Sequence, residues 1–192
     1  LSSGDFLLEP TGTLDGKIWP VYWTCEGRPA TDFLSAAGTP CISGLIAAYR
    51  VSGDDRYLAG AVEALARMWQ AFGDRFDRPF ARSTLDAGCE DKEAGVYFFL
   101  AASELHAQTE EPRFRVWADV AADWILTFVY HWDTGFRHGT SCAERRFETT
   151  GWPAVSVQNQ HLDVFFPAYE LHAYGVRTGN ERYAGLGRTI FD

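Results

Sequence analysis

Three acidic side chains, Glu90, Asp91 and Glu93, stand within four residues just before a long apolar run. Carboxyl groups packed at one rim push their pKa values apart, so one serves as a general acid while another serves as a general base. Hydrolysis of a glycosidic bond needs such a pair. Acidic residues also favour a helix N-terminus for electrostatic reasons alone, which leaves a purely structural role open.

A second polar cluster contains Asn159, Gln160, His161 and Asp163. At the start of a helix, the helix dipole would lower the pKa of the His161 imidazole, so that a neutral ring acts as a base. A lone histidine there also serves as an ordinary capping or core residue.

Large aromatic residues occur in stretches that lack a helical pattern. Flat apolar rings suit the C–H face of a sugar, although packing of loops onto helices explains most such rings equally well. We expect Trp23 and Trp152 to contact substrate, because polar residues flank both. Arg82 is a further candidate for substrate binding. The remaining aromatic residues of these stretches are Trp19, Tyr22 and Trp132.

Helical patterns predict the elements that carry these clusters. The stretch 87–130 reads as a helix that is apolar on nearly every face, followed by an amphipathic helix that begins at Pro112. A similar inner helix begins at Thr39-Pro40, and Gly53-Asp54 separates it from a one-sided outer helix. A third inner helix is predicted from Val157 with a kink at Pro167, and its outer partner starts at Glu181. Residues 131–156 are predicted to form a long ordered loop, with a small β-hairpin as an option.

The turn inside each predicted hairpin recurs in the sequence. SGDDRYL at 52–58, TEEPRFR at 109–115 and TGNERYA at 178–184 share an arginine that precedes an aromatic residue. Counted back from that arginine, Glu90 and Asn159 both lie 23 residues upstream, so the two polar clusters are equivalent in position. We therefore expect Asp91 and Asp163 to form the catalytic pair. The turn arginines and aromatic residues are predicted to be structural.

The recurring helix, [ST]-G-[DN]-x-R-Y turn and helix resemble the (α/α) toroids of the six-hairpin glycosidase superfamily. The resemblance covers residues 39–192 and implies an all-α fold whose three hairpins form about half of an (α/α)6 toroid, after a loop-rich lead-in at 1–38. It also implies a carbohydrate-active enzyme that binds an oligo- or polysaccharide at the mouth where the inner helices begin.

Three activities fit this resemblance. In the leading one, a glycoside hydrolase uses Asp91 and Asp163, with Glu90 and His161 beside them, and most hydrolases of the superfamily are inverting. In the alternative, a polysaccharide lyase uses His161 and Asn159 on a polyanion, for which Arg82, Lys92 and the pair Arg145-Arg146 are the nearby basic residues. A non-catalytic helical-repeat binding module is the third.

Charge, hydrophobicity and cysteine spacing limit the classes of partner and cofactor that we expect. The chain has 192 residues, a formal charge of −9 and no apolar run of membrane-spanning length, so we expect a soluble protein, cytoplasmic or exported, that binds neither nucleic acid nor membrane. The four cysteines include no CxxC pair. One toroid hydrolase family has a Cys-rich zinc site, but its paired cysteines are missing here. We therefore expect no metal and no cofactor.

Overall fold

The computed structural model describes residues 3–9, 13, 19–20, 22–32, 35–74, 80, 90, 92–154 and 165–191. This part of the chain is all-α, as predicted, and isolated bridges join Trp23 to Pro29 and Val129 to Pro153. The chain divides into two compact units, Leu1–Asp123 and Trp124–Asp192. The helices are α1 (Ser3–Leu8), a 3-10 turn (Ala36–Gly38), α2 (Pro40–Ser52), α3 (Asp55–Met68), a π turn (Trp69–Gly73), α4 (Lys92–Thr109), α5 (Pro112–Leu126), α6 (Ser141–Glu144), α7 (Ala168–Thr178) and α8 (Glu181–Phe191).

The first unit contains the predicted hairpin of α2 and α3. Pro40 occupies the first turn of α2, where its missing N–H costs nothing. The buried side of α3 contains Tyr57, Ala61, Leu65 and Met68, at the spacing of a single helical stripe. Helix α2 forms where it was predicted, but not all of its apolar surface is buried, since Ala47 is exposed and Val51 is 90 % exposed. Its buried side chains are Ile42, Leu45 and Ile46.

The segment predicted as a loop-rich lead-in includes α1, which packs on α2 and α3. Gly4 of α1 lies against the ring of Tyr57, and the Tyr57 hydroxyl donates a hydrogen bond of 2.9 Å to Asp5. The indole N–H of Trp19 donates to the carbonyl of Leu7 at 3.3 Å. This part of the lead-in therefore belongs to the first compact unit.

Helix α4 is buried on nearly every face, as the sequence predicted. Its fully buried side chains include Phe98, Phe99 and Leu105. Trp69 stacks on Trp117 of α5 with ring centroids 5.1 Å apart, and Phe98 lies 5.9 Å from Trp69. These aromatic contacts stabilise the core of the first unit, because each ring removes a large apolar area from water.

The repeated turn has the same backbone in all three helix pairs. A residue in the left-handed conformation ends the first helix: Gly53 (φ 69°), Glu110 (φ 58°) and Gly179 (φ 71°). The next residue caps the second helix in two of the turns, where Asp54 accepts from the Arg56 N–H and Asn180 accepts from the Tyr183 N–H. The predicted turn signals at these helix ends are therefore confirmed.

The shared arginine and aromatic residue of each turn have structural contacts. The Arg56 guanidinium pairs with Asp54, and that of Arg113 pairs with Glu111 at 2.7 Å. Each arginine also lies over the ring that follows it, at 5.8 Å for Tyr57, 4.7 Å for Phe114 and 5.5 Å for Tyr183. All three rings are buried, so the turn motif supports packing and makes no ligand site.

The second unit contains the end of α5, the loop 127–154, and the pair α7 and α8. Helix α7 begins at Ala168, and Phe165 to Pro167 are not helical, so the predicted helix does not continue unbroken through Pro167. Residues 155–164 lie outside the described part of the chain. Pro167 precedes the helix and does not kink it, because a residue before proline, here Phe166, avoids the α conformation. None of the described helices is long and apolar enough to cross a membrane.

Candidate functional site

Most of the predicted catalytic and substrate-binding residues fall outside the part of the chain that the structure describes. Asp91 and Arg82 belong to this group, as do the four polar residues of the second cluster. Glu90, Trp23 and Trp152 are described and have defined surroundings. The residues of the second cluster are Asn159, Gln160, His161 and Asp163.

At the entrance of α4, polar side chains differ sharply in exposure. Glu90 and Glu93 are half-buried, whereas Lys92, the first residue of the helix, is fully buried at 0 % exposure. A buried ammonium group is not available to a polyanion in a groove. Lys92 therefore does not serve the basic groove that a polysaccharide lyase would need. Of the members of that set that the structure describes, Arg145 and Arg146 are exposed.

Trp23 packs inside the first unit. Its ring meets Phe6 of α1 edge-on, with centroids 5.9 Å apart, and its backbone forms a bridge to Pro29 across the turn 24–28. The turn is closed by the Thr24 N–H, which donates to Arg28 at 2.8 Å. Trp23 is half-buried and has this packing contact, and its contact with substrate stays a prediction.

Trp152 lines an open cleft of about 610 Å³ in the second unit. The backbone of Trp152 is fixed by antiparallel pairing at the base of the loop, where its carbonyl accepts from the Tyr130 N–H at 2.9 Å. The Gly151 N–H donates to the Tyr130 carbonyl at 2.9 Å. The cleft is lined by Glu148, Thr150, Gly151, Trp152, Pro153, Phe166, Ala168, Thr189, Ile190 and Phe191.

The loop that supplies one wall of this cleft is ordered by its own aromatic rings. Phe147 lies 5.3 Å from Trp152 and 6.0 Å from Phe136, measured between ring centroids. Residues 131–154 form the predicted loop, and at its base the described residues include a bridge between Val129 and Pro153. The short helix α6 lies within the same loop.

A cluster of hydrogen bonds, here called the Asp133 clamp, holds the non-helical segment 148–151 in place. Asp133 Oδ1 accepts from the backbone N–H groups of Thr149 and Thr150, both at 2.9 Å, and from the Thr150 hydroxyl at 2.8 Å. The buried Thr149 hydroxyl donates to the Trp132 carbonyl at 3.0 Å and accepts from the Thr134 N–H at 2.8 Å. The bonds that Asp133 accepts lower the pKa of its carboxyl, and the bond from the Thr150 N–H has the largest effect.

The residues held by the Asp133 clamp are adjacent in sequence to residues that line the cleft. Glu148 precedes the clamped pair, and Thr150, Gly151 and Trp152 follow within three residues of Thr149. Sequence reasoning missed Glu148, Thr150 and Thr189, because no helical period or motif marks them. The hydrogen bonds from the Thr149 and Thr150 backbones to Asp133 span 16 and 17 residues. Hydrogen bonds of this kind leave no periodic pattern in the sequence.

Chemically, the cleft combines flat apolar surface with a few polar groups. Trp152, Phe166 and Ile190 supply apolar area. The Glu148 carboxylate and the Thr150 and Thr189 hydroxyls supply hydrogen-bond acceptors, because both hydroxyls already donate within the protein. Binding sites for small molecules commonly show this mixture. A ligand with an apolar ring face and several hydroxyl groups matches both kinds of surface.

Thiol and metal chemistry have little support in the described residues. No group of three metal-ligating side chains comes together among them, and Cys25, Cys41 and Cys142 are free thiols there. Cys25 is exposed and its Sγ lies 3.2 Å from Glu26 Oε1. Burial raises the pKa of the Cys41 thiol to about 11.

Comparison of the chain with protein-family models, curated proteins and solved structures found no match. The resemblance to (α/α) toroids therefore stays a prediction from the turn motif. The cleft at Trp152 is the structural feature that bears on function.

Proposed function

We propose that this protein acts on carbohydrates and that the cleft at Trp152 binds an oligo- or polysaccharide. The observation that carries the proposal is the position of Trp152. A ring predicted from sequence to contact sugar lines an open cleft of about 610 Å³, together with a carboxylate and two hydroxyl groups. Tryptophan offers an apolar face for sugar C–H groups, and the polar groups can hydrogen-bond sugar hydroxyls.

The proposed reaction is hydrolysis of a glycosidic bond by a general acid and a general base. Asp91 and Asp163 remain the proposed pair, with Glu90 and His161 as assisting groups. Asp163 stands three residues before the cleft residue Phe166 in the sequence. Glu148 is the carboxylate that the described cleft itself contributes, so it is tested beside them.

Binding is tested first, by calorimetric titration of a panel of neutral and acidic oligosaccharides into the intact chain. For a saccharide that binds, Trp152→Ala should weaken affinity at least tenfold, because a large stacking surface is lost. Trp132→Ala is the matched control, since Trp132 lies in the same loop, is 65 % exposed and does not line the cleft. Equal effects of the two substitutions, or no binding by any saccharide, would refute the assignment of the cleft.

Turnover is tested by release of reducing ends. Asp91→Asn and Asp163→Asn should abolish turnover while the saccharide still binds, because an amide retains shape but transfers no proton. If Glu148→Gln alone abolishes turnover, the catalytic carboxylate is Glu148. An unsaturated product that absorbs in the ultraviolet would instead indicate a lyase that uses His161 and Asn159. Binding without any turnover would indicate a binding module.

A further inference from the structure

A second, smaller depression lies between α7 and α8, and we call it the α7–α8 groove. It has a volume of about 130 Å³. Two of its aromatic residues are unusually exposed for large apolar side chains, Tyr169 at 70 % and Phe191 at 77 %. Ala168 and Phe191 line both the groove and the cleft, so the two adjoin. The groove is lined by Ala168, Tyr169, His172, Gly187, Arg188 and Phe191.

The floor of the groove is set by close contact between the two helix backbones. A Cβ placed on Gly187 would lie 2.6 Å from the Ala168 carbonyl oxygen and 2.6 Å from the backbone nitrogen of His172. The His172 ring is also held, because its Nδ1 lies 2.8 Å from the Ala184 carbonyl oxygen and donates to it. Backbone contact and a fixed ring favour a preformed depression, which lowers the entropic cost of binding.

The size and walls of the groove suit one aromatic ring. An apolar cavity of about 150 Å³ is known to accept a molecule of benzene. The groove has a similar volume but is open to solvent, and the exposed Tyr169 and Phe191 rings line it. Aromatic rings prefer edge-to-face or offset contacts with other rings, so an aromatic ligand gains more here than an aliphatic one.

Arg188 adds a specific charge requirement. Its side chain is exposed and lines the groove, and no carboxylate of the described residues forms an ion pair with it. A guanidinium binds a carboxylate through two parallel hydrogen bonds, which a neutral group does not reproduce. The apolar walls and the Arg188 guanidinium together favour a ligand that has an aromatic ring and a carboxylate.

We infer that the α7–α8 groove is a binding subsite for a single aromatic ring that carries a carboxylate. This inference goes beyond saccharide binding and does not depend on it.

Benzoate is the probe, followed by saturation-transfer NMR and by titration of the intact chain. Benzoate should bind saturably with a dissociation constant of about 1–10 mM, as expected for so small a ligand. Phe191→Ala and Tyr169→Ala should each weaken binding at least threefold. Both side chains are exposed, so folding is retained and is checked by circular dichroism.

The charge requirement is tested with Arg188→Gln. This variant should weaken benzoate binding at least fivefold and leave binding of neutral benzyl alcohol unchanged. Arg145→Gln, an exposed arginine of the same unit that lines neither the groove nor the cleft, is the matched control. Absence of saturable benzoate binding, equal effects of the two arginine substitutions, or equal binding of acetate would each overturn the inference. Because these probes contain no sugar, their outcome is independent of the saccharide titrations.

Discussion

Asp133 and Thr150, 17 residues apart, are joined by two hydrogen bonds to one carboxylate oxygen, from the Thr150 backbone N–H at 2.9 Å and from its hydroxyl at 2.8 Å. The neighbouring Thr149 N–H binds the same oxygen at 2.9 Å. This arrangement fixes the wall of the cleft immediately before Gly151 and Trp152. The position of Trp152 thus depends on a residue that does not itself line the cleft.

The Thr149 hydroxyl should contribute strongly to stability. Thr149 is 1 % exposed, and its hydroxyl joins the Trp132 carbonyl to the Thr134 N–H. Thr149→Val keeps the shape but removes both bonds, so we expect a loss of about 1–3 kcal/mol in the free energy of unfolding. Thr149→Ser keeps the hydroxyl and should cost about 1 kcal/mol or less. Urea denaturation measures both, and equal losses would show that the hydroxyl is unimportant.

Acid should weaken the Asp133 clamp. The folded protein lowers the pKa of Asp133, chiefly through the Thr150 N–H and the Thr150 hydroxyl. Its contribution to stability is therefore present above the unfolded value of about 3.9 and is lost as pH falls through the folded pKa. The difference in Tm between wild type and Asp133→Asn should shrink below about pH 4.

The matched control for this pH experiment is Asp32→Asn, which removes one exposed negative charge elsewhere in the chain. Thermal scans from neutral to acidic pH supply both comparisons. A Tm difference for Asp133→Asn that stays constant from pH 7 to pH 3 would contradict the role of its carboxylate.

Glu110 occupies a backbone conformation that its two counterparts fill with glycine. Its φ of 58° lies in the left-handed region, as do those of Gly53 and Gly179. Glu110→Gly removes the Cβ strain and should raise the free energy of unfolding by up to about 1 kcal/mol. Gly53→Ala should lower it by a similar amount. If both substitutions destabilise the protein in urea, strain at Glu110 is not significant.

Two glycines in the α7 and α8 pair should respond in opposite ways to alanine. A Cβ placed on Gly185 would contact no heavy atom within 4 Å. Gly185→Ala should therefore stabilise the helix by up to about 1 kcal/mol. At Gly175 a Cβ would lie 2.3 Å from the Ala184 nitrogen. Gly175→Ala should therefore cost about 1–3 kcal/mol by forcing the helices apart. Thermal unfolding of the two variants gives the comparison, and a stable Gly175→Ala protein would contradict the close helix contact.

The cysteines should differ in alkylation. Burial raises the pKa of Cys41 to about 11, whereas Cys25 is exposed. Because the thiolate reacts, the raised pKa alone should slow alkylation of Cys41 about a hundredfold against an ordinary thiol at pH 8. Mass spectrometry after timed iodoacetamide treatment identifies the labelled peptides. Labelling of Cys41 as fast as Cys25 would show that the Cys41 thiol is accessible.

The sequence by itself determined the helix ends of the repeated turns. Gly53 and Gly179 adopt positive φ, Pro112 begins α5, and Asp54 and Asn180 cap the following helices. These features depend on the conformational preferences of one or two residues, so they can be read locally. The all-round burial of α4 was readable for a similar reason, because its apolar residues leave no polar face.

Local patterns did not decide every helix end or every buried face. A third inner helix was predicted from Val157 with a kink at Pro167, but Phe165 to Pro167 are not helical and α7 begins at Ala168. Helix α2 is apolar on nearly every face in sequence, yet Ala47 and Val51 face solvent. Periodicity states which faces can be buried, and only the neighbouring elements decide which of them are.

The cleft, the Asp133 clamp and the α7–α8 groove were decided by tertiary structure. Asp133 meets Thr149 and Thr150 across 16 and 17 residues, and the cleft joins the loop around Trp152 to the end of α8. Such contacts depend on how loops fold back onto helices, and no spacing in the sequence encodes them. Trp152 was predicted from its residue type, but its neighbours Glu148, Thr150 and Thr189 became visible only when the chain brought them to one surface.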